Sequence, residues 1–83
     1  MMAILLYFGK LQDVVGHPRE SYQLPSDIIS TVSLRAHLDQ KFDLNGALLE
    51  KTVRLAINGE IVSEPSPVSN SDEIAFMPPV GGG

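Results

Sequence analysis

The sequence predicts an α+β fold, a mixed β-sheet with one main helix packed across a face. Three observations predict it. Leu34, Leu38 and Phe42 recur at four-residue spacing and mark one amphipathic helix. Val53, Leu55 and Ile57 alternate with Arg54 and Ala56, and Asn58-Gly59 follows at once, the strongest short hairpin signal. The chain has 83 residues, room for one sheet and one or two helices over one core. A second domain, a doubly wound nucleotide-binding fold and a barrel enzyme are excluded by size.

The elements follow in order. Residues 3–8 are continuously apolar and end at Gly9, which reads as a strand covered on both faces. Leu11, Val14 and Val15 fall on one side of a short helix over 10–15. Gly16 closes it in a left-handed cap and Pro18 prevents continuation. Residues 19–24, with Tyr22 and Leu24, form an edge-like strand antiparallel to the first. Ser30 is the expected N-cap of the main helix over 31–42, with Ile29 and Leu34 as a hydrophobic staple. Arg35, Asp39 and Lys41 lie off its apolar stripe. Asn45-Gly46 makes a turn, Val53–Ile57 a strand, Glu60–Val62 its hairpin partner and Asp72–Met77 a last strand. The domain is expected over residues 1–77, with an extended tail over 78–83.

Composition narrows the function. Six Lys plus Arg against ten Asp plus Glu leave a net charge of −4, which argues against nucleic acid and anionic membranes as partners. There is no cysteine, so disulfides, thiolate metal sites and thiol nucleophiles are excluded. Two histidines, His17 and His37, make no metal site without carboxylates in register; His17 is expected in a surface turn and His37 in a structural role. No apolar run approaches the ~18 residues that cross a bilayer. The apolar start lacks a basic leader and a cleavage site, so the expected compartment is the cytoplasm.

The last six residues, Pro78-Pro79-Val80-Gly81-Gly82-Gly83, carry the most information. Two prolines stiffen the exit from the last strand. Three glycines carry no side chain and can enter a channel too narrow for anything else. Nothing from Ile74 to Gly82 is charged, so the carboxylate of Gly83 stands alone at the end of a neutral thread. Six extended residues reach roughly 20 Å. Such a domain looks like a carrier that presents its C-terminus to other proteins; a frayed, inert end is the bland alternative.

Asp72-Glu73-Ile74-Ala75-Phe76-Met77-Pro78-Pro79-Val80, ending in Gly82-Gly83, resembles the C-terminus of the molybdopterin synthase small subunit family. Leu5-Leu6-Tyr7-Phe8-Gly9 and Val14-Val15-Gly16 are similar to that family's first strand and short helix, Leu34 and Leu38 to its main helix, and Ile57-Asn58-Gly59 to its central hairpin. The resemblance spans the whole chain and implies the ubiquitin-like β-grasp fold. There are departures. Met77 stands where a second Phe is usual, Gln12-Asp13 where Arg-Glu is usual, and Asn70-Ser71 where a Gly often precedes Asp-Glu.

The resemblance implies a sulfur carrier. An ATP-dependent adenylating enzyme activates Gly83, sulfur from a donor protein replaces AMP, and the thiocarboxylate donates sulfur to a cyclic pterin precursor. No cofactor is held permanently; ATP is used by the activating enzyme. The catalytic pocket is expected in a large subunit, within a heterotetramer, with Pro78, Pro79, Val80, Gly81 and Gly82 inserting into it. Phe8, Phe76 and Met77 are the expected interface residues, on a sheet face left open by a single helix. Asp72 and Glu73 read as a solvated turn, with docking to the activating enzyme as the alternative use. The alternative functions are a related carrier for thiamine synthesis or tRNA thiolation, a ubiquitin-like modifier that ends in an isopeptide bond, and a pure interaction module.

Overall fold

The computed structural model describes residues 1–79; Val80 to Gly83, expected as the tip of the tail, lie outside them. The elements run β1 (Ala3–Tyr7), α1 (Leu11–Val15), β2 (Arg19–Tyr22), α2 (Thr31–Lys41), β3 (Arg54–Ile57), β4 (Glu60–Ile61) and β5 (Glu73–Met77). The five strands form one sheet in the order β2-β1-β5-β3-β4. β1 and β5 are parallel, and the other neighbours are antiparallel. This is the β-grasp arrangement: first and last strands pair in the centre, and α2 covers one face.

Local chemistry explains each boundary. Gly16 adopts φ 102 and its N–H donates to the Gln12 carbonyl, ending α1 as its sequence requires. Ser30 caps α2 by accepting from the Ser33 N–H, and the Ser33 hydroxyl accepts in return from the Ser30 N–H. Ile29 stays 68% exposed, so the staple with Leu34 does not form. Its carbonyl accepts from the Val68 N–H instead, which draws the chain toward the following loop. Asn58 and Gly59 both have positive φ, 53 and 88, as a two-residue hairpin turn demands.

The core lies between α2 and the sheet. Leu5 and Tyr7 of β1, Ile74 and Phe76 of β5, and Leu55 of β3 meet Leu34 and Leu38 there, each nearly or fully buried. Each such side chain contributes about 1.5–3 kcal/mol of transfer free energy. On β1 only Ala3, Leu5 and Tyr7 are buried, while Ile4 and Leu6 are half-buried. The expectation of a strand covered on both faces is therefore corrected: one helix covers one face. Among the described residues no helix is long and apolar enough to cross a membrane.

Arg35 and Asp39 lie off the apolar stripe of α2 but are buried all the same. Each is only 8% exposed. The Asp39 carboxylate accepts from the Gly46 and Leu48 N–H groups at 2.8 and 3.0 Å. Arg35 donates to the Leu48, Glu50 and Val53 carbonyls and to both oxygens of Glu64. These two side chains hold the irregular segment between α2 and β3, where backbone groups lack sheet partners.

Candidate functional site

The tail leaves from β5, the middle strand of five, with β1 on one side and β3 on the other. Its root is held on the β1 side. The Phe8 N–H donates to the Phe76 carbonyl at 3.1 Å, one step past the paired residues Tyr7 and Phe76. Gly9 then turns away with φ 55, and the Pro78 ring packs against its backbone. A Cβ at Gly9 would lie 2.9 Å from Pro78 Cγ. So Gly9 is required twice, for its left-handed conformation and as the seat of the first tail proline. The sequence marks Gly9 only as the end of a strand; nothing local reveals its distant neighbour. Gly9→Ala is expected to cost about 1–2 kcal/mol through backbone strain and to displace Pro78. Urea unfolding measures the first effect. A change in the chemical shifts of Pro78 and Pro79 in the folded variant measures the second.

The face of the sheet away from α2 is exposed only in part: Ala56 and Ala75 at its centre are buried, and Leu6 is half-buried. Strand register places Arg19, Leu6, Ala75, Ala56 and Ile61 in one row across all five strands. Nearer the tail, Met77 stands opposite Arg54, and Phe8 follows β1. Ile61 is 60% and Phe8 44% exposed, while Met77 is half-buried. Phe8 and Met77 are thus accessible at the root of the tail. Phe76 is not: it is 0% exposed and stacks on the Tyr7 ring at 5.4 Å between centroids. Its assignment to a partner interface is corrected, because alternation turns it toward α2 while Ala75 and Met77 face the other way.

The ThiS family model matches residues 5–83, nearly the whole chain. The chain belongs to the ThiS family. It is 39% identical to a Haemophilus influenzae protein named molybdopterin synthase sulfur carrier subunit, over 99% of this chain and 100% of that one. A Haloferax volcanii protein, HVO 2177, superposes with a TM-score of 0.80 at 25% identity, over 100% of this chain and 87% of that one. The complex of subunits 1 and 2 of the molybdopterin-converting factor from Helicobacter pylori contains a chain matched with a TM-score of 0.67 at 25% identity, over 100% of both.

Several other polar groups of this ThiS family chain make structural contacts. The Tyr7 hydroxyl donates to Glu20 at 2.9 Å. Burial, with the Glu20 carboxylate adding to it, raises the Tyr7 pKa well above the ordinary tyrosine range, so the hydroxyl stays a donor. His17 lies in the turn between α1 and β2 with its side chain 35% exposed; its ring meets Tyr7 and Phe42 edge-on, and Nε2 lies 3.0 Å from Glu20. His37 Nε2 and the Tyr22 hydroxyl are 2.6 Å apart. Asp72 accepts from the Ser69 N–H and from Asn58 Nδ2, so it shapes the turn that leads into β5. Asn70, one of the departures from the usual pattern, accepts from the Leu24 N–H at 2.7 Å and ties that turn to the segment after β2.

Proposed function

We propose that this chain is the sulfur-carrier subunit of a molybdopterin synthase. The observation that carries the proposal is that the segment Pro78-Pro79-Val80-Gly81-Gly82-Gly83 follows the central strand directly, beside the accessible apolar side chains of Phe8 and Met77. The likeness to proteins named for that role supports it. A carboxylate is a poor electrophile. In an ATP-dependent activating enzyme, a Gly83 carboxylate oxygen attacks the α-phosphate and pyrophosphate leaves. Sulfide then attacks the acyl carbon and AMP leaves, so the terminus becomes a thiocarboxylate without any net redox change. With no cysteine in the chain, the terminus is its one place for covalent sulfur of this kind.

The loaded tail enters the active site of the large subunit, and its sulfur passes to the cyclic pterin precursor. Phe8 and Met77 pack at the mouth, and the apolar row from Leu6 to Ile61 extends the contact. A dithiolene needs two sulfurs, so two carriers are consumed per product, which suits a heterotetramer. The test is to incubate the chain with its activating enzyme, ATP and sulfide, and to measure intact mass. Replacement of one oxygen by sulfur, followed by dithiolene formation with the large subunit, is the expected result. A product joined to a lysine by an amide bond, with no sulfur gained, would overturn the proposal in favour of a protein modifier.

A further inference from the structure

The six cations of the chain are unevenly placed. Three lie on the α2 side: Arg35 is buried against Glu64, Lys41 sits over the Tyr22 and Phe42 rings, and Lys51 lines a groove with Arg35 and Glu64. The other three stand toward the tail end of the sheet. Lys10 follows Gly9, the seat of Pro78. Arg54 is paired opposite Met77, and Arg19 opposite Leu6. All three are exposed, and none makes an ion pair within 4 Å among the described residues, although the charge of Arg54 is felt by Glu64. Since β5 lies between β1 and β3, Lys10 and Arg54 bracket the root of the tail from its two sides. The carboxylates of Asp72 and Glu73 stand at the opposite end of the same strand.

We propose that Lys10 and Arg54 form a cationic bracket that meets carboxylates at the mouth of the partner pocket that receives the tail. The inference rests on the carrier reading above and adds the chemistry of the partner's rim. In a chain of net charge −4, an acidic rim meets net repulsion, so two cations flanking the tail favour the approach that brings the rim to the tail. The phosphates of ATP are a poorer match for these cations. Four residues, Val80 to Gly83, separate Pro79 from the reacting carboxylate, about 13 Å when extended. An arginine at the root does not span that distance, whereas a carboxylate on the rim meets it directly.

The experiment compares association of the full chain with the purified large subunit across ionic strengths. Arg54→Glu and Lys10→Glu are each expected to slow association about tenfold at low salt, with the difference largely gone near 0.5 M salt. Lys41→Glu carries the same charge change beside Tyr22, which pairs with Ala3 at the end of β1 away from the tail, and is expected to alter the rate by no more than about twofold. The inference is overturned if the first two variants associate like the parent, or if all three slow alike, since net charge alone would then govern. It is also overturned if Arg54→Glu leaves association intact but raises the activating enzyme's KM for ATP, since the bracket would then serve phosphate. Failure of the parent itself to bind the large subunit would overturn the carrier reading, and this inference with it.

Discussion

Deleting Gly83 is expected to abolish sulfur transfer and to leave the unfolding midpoint of the domain unchanged. The domain should not notice, because the buried core among the described residues runs from Ala3 to Phe76. The chemistry should, because one residue less draws the carboxylate back by about 3.3 Å. A misplacement of 1 Å already costs about 100-fold in rate. An added residue after Gly83 should fail equally, by pushing a new carboxylate past the reacting position. Gly82→Val should fail for a separate reason, since a branched side chain does not pass a channel shaped for bare backbone. Each variant is incubated with activating enzyme, ATP and sulfide, and read by intact mass and by dithiolene formation with the large subunit. A shortened chain that still gains sulfur and still makes product at the parent rate would return the tail to the status of an inert end.

The parts legible in the sequence are those fixed by neighbours in the chain. Gly16 after Val15, Ser30 before the α2 stripe and Asn58-Gly59 after Ile57 act within a few residues, so their elements lie where the pattern puts them, within a residue or two. What depended on distant contacts was hidden. Nothing in residues 3–8 or 72–77 reveals that these strands pair side by side and in parallel. That pairing makes β5 central, seats Pro78 on Gly9 and turns Phe76 into the core rather than toward a partner. The burial of Arg35 and Asp39 was hidden for the same reason. Periodicity reads charge as solvent exposure, yet here the charges replace the missing sheet bonds of the segment from Gly46 to Val53.

Arg35→Ala is expected to be the most damaging substitution for the fold. Removal of the guanidinium leaves the Leu48, Glu50 and Val53 carbonyls without their donor and strips Glu64, whose side chain is 20% exposed, of its partner. Breaking a buried pair from one side costs about 3–5 kcal/mol, because the remaining charge is uncompensated. In a domain of this size the melting temperature should fall by at least about 10 °C. Arg35→Lys should recover little, since an ammonium cannot donate in parallel to a carboxylate and fan out to several carbonyls. The acid limb of stability gives an independent reading. Hydrogen bonding from Arg35, against the opposing effect of burial, holds the Glu64 carboxyl below its ordinary value of 4.5. A carboxylate depressed in the folded state stabilises above its unfolded pKa, and that contribution is lost as the pH falls through the folded one. Unfolding free energy of the parent should therefore decline as the pH drops below the usual glutamate range, and Arg35→Ala should flatten that decline. Urea titrations of both proteins at a series of acid pH values measure the two slopes. Equal slopes, or a loss of stability under about 1 kcal/mol, would show that Arg35 does not hold the α2–β3 segment in place.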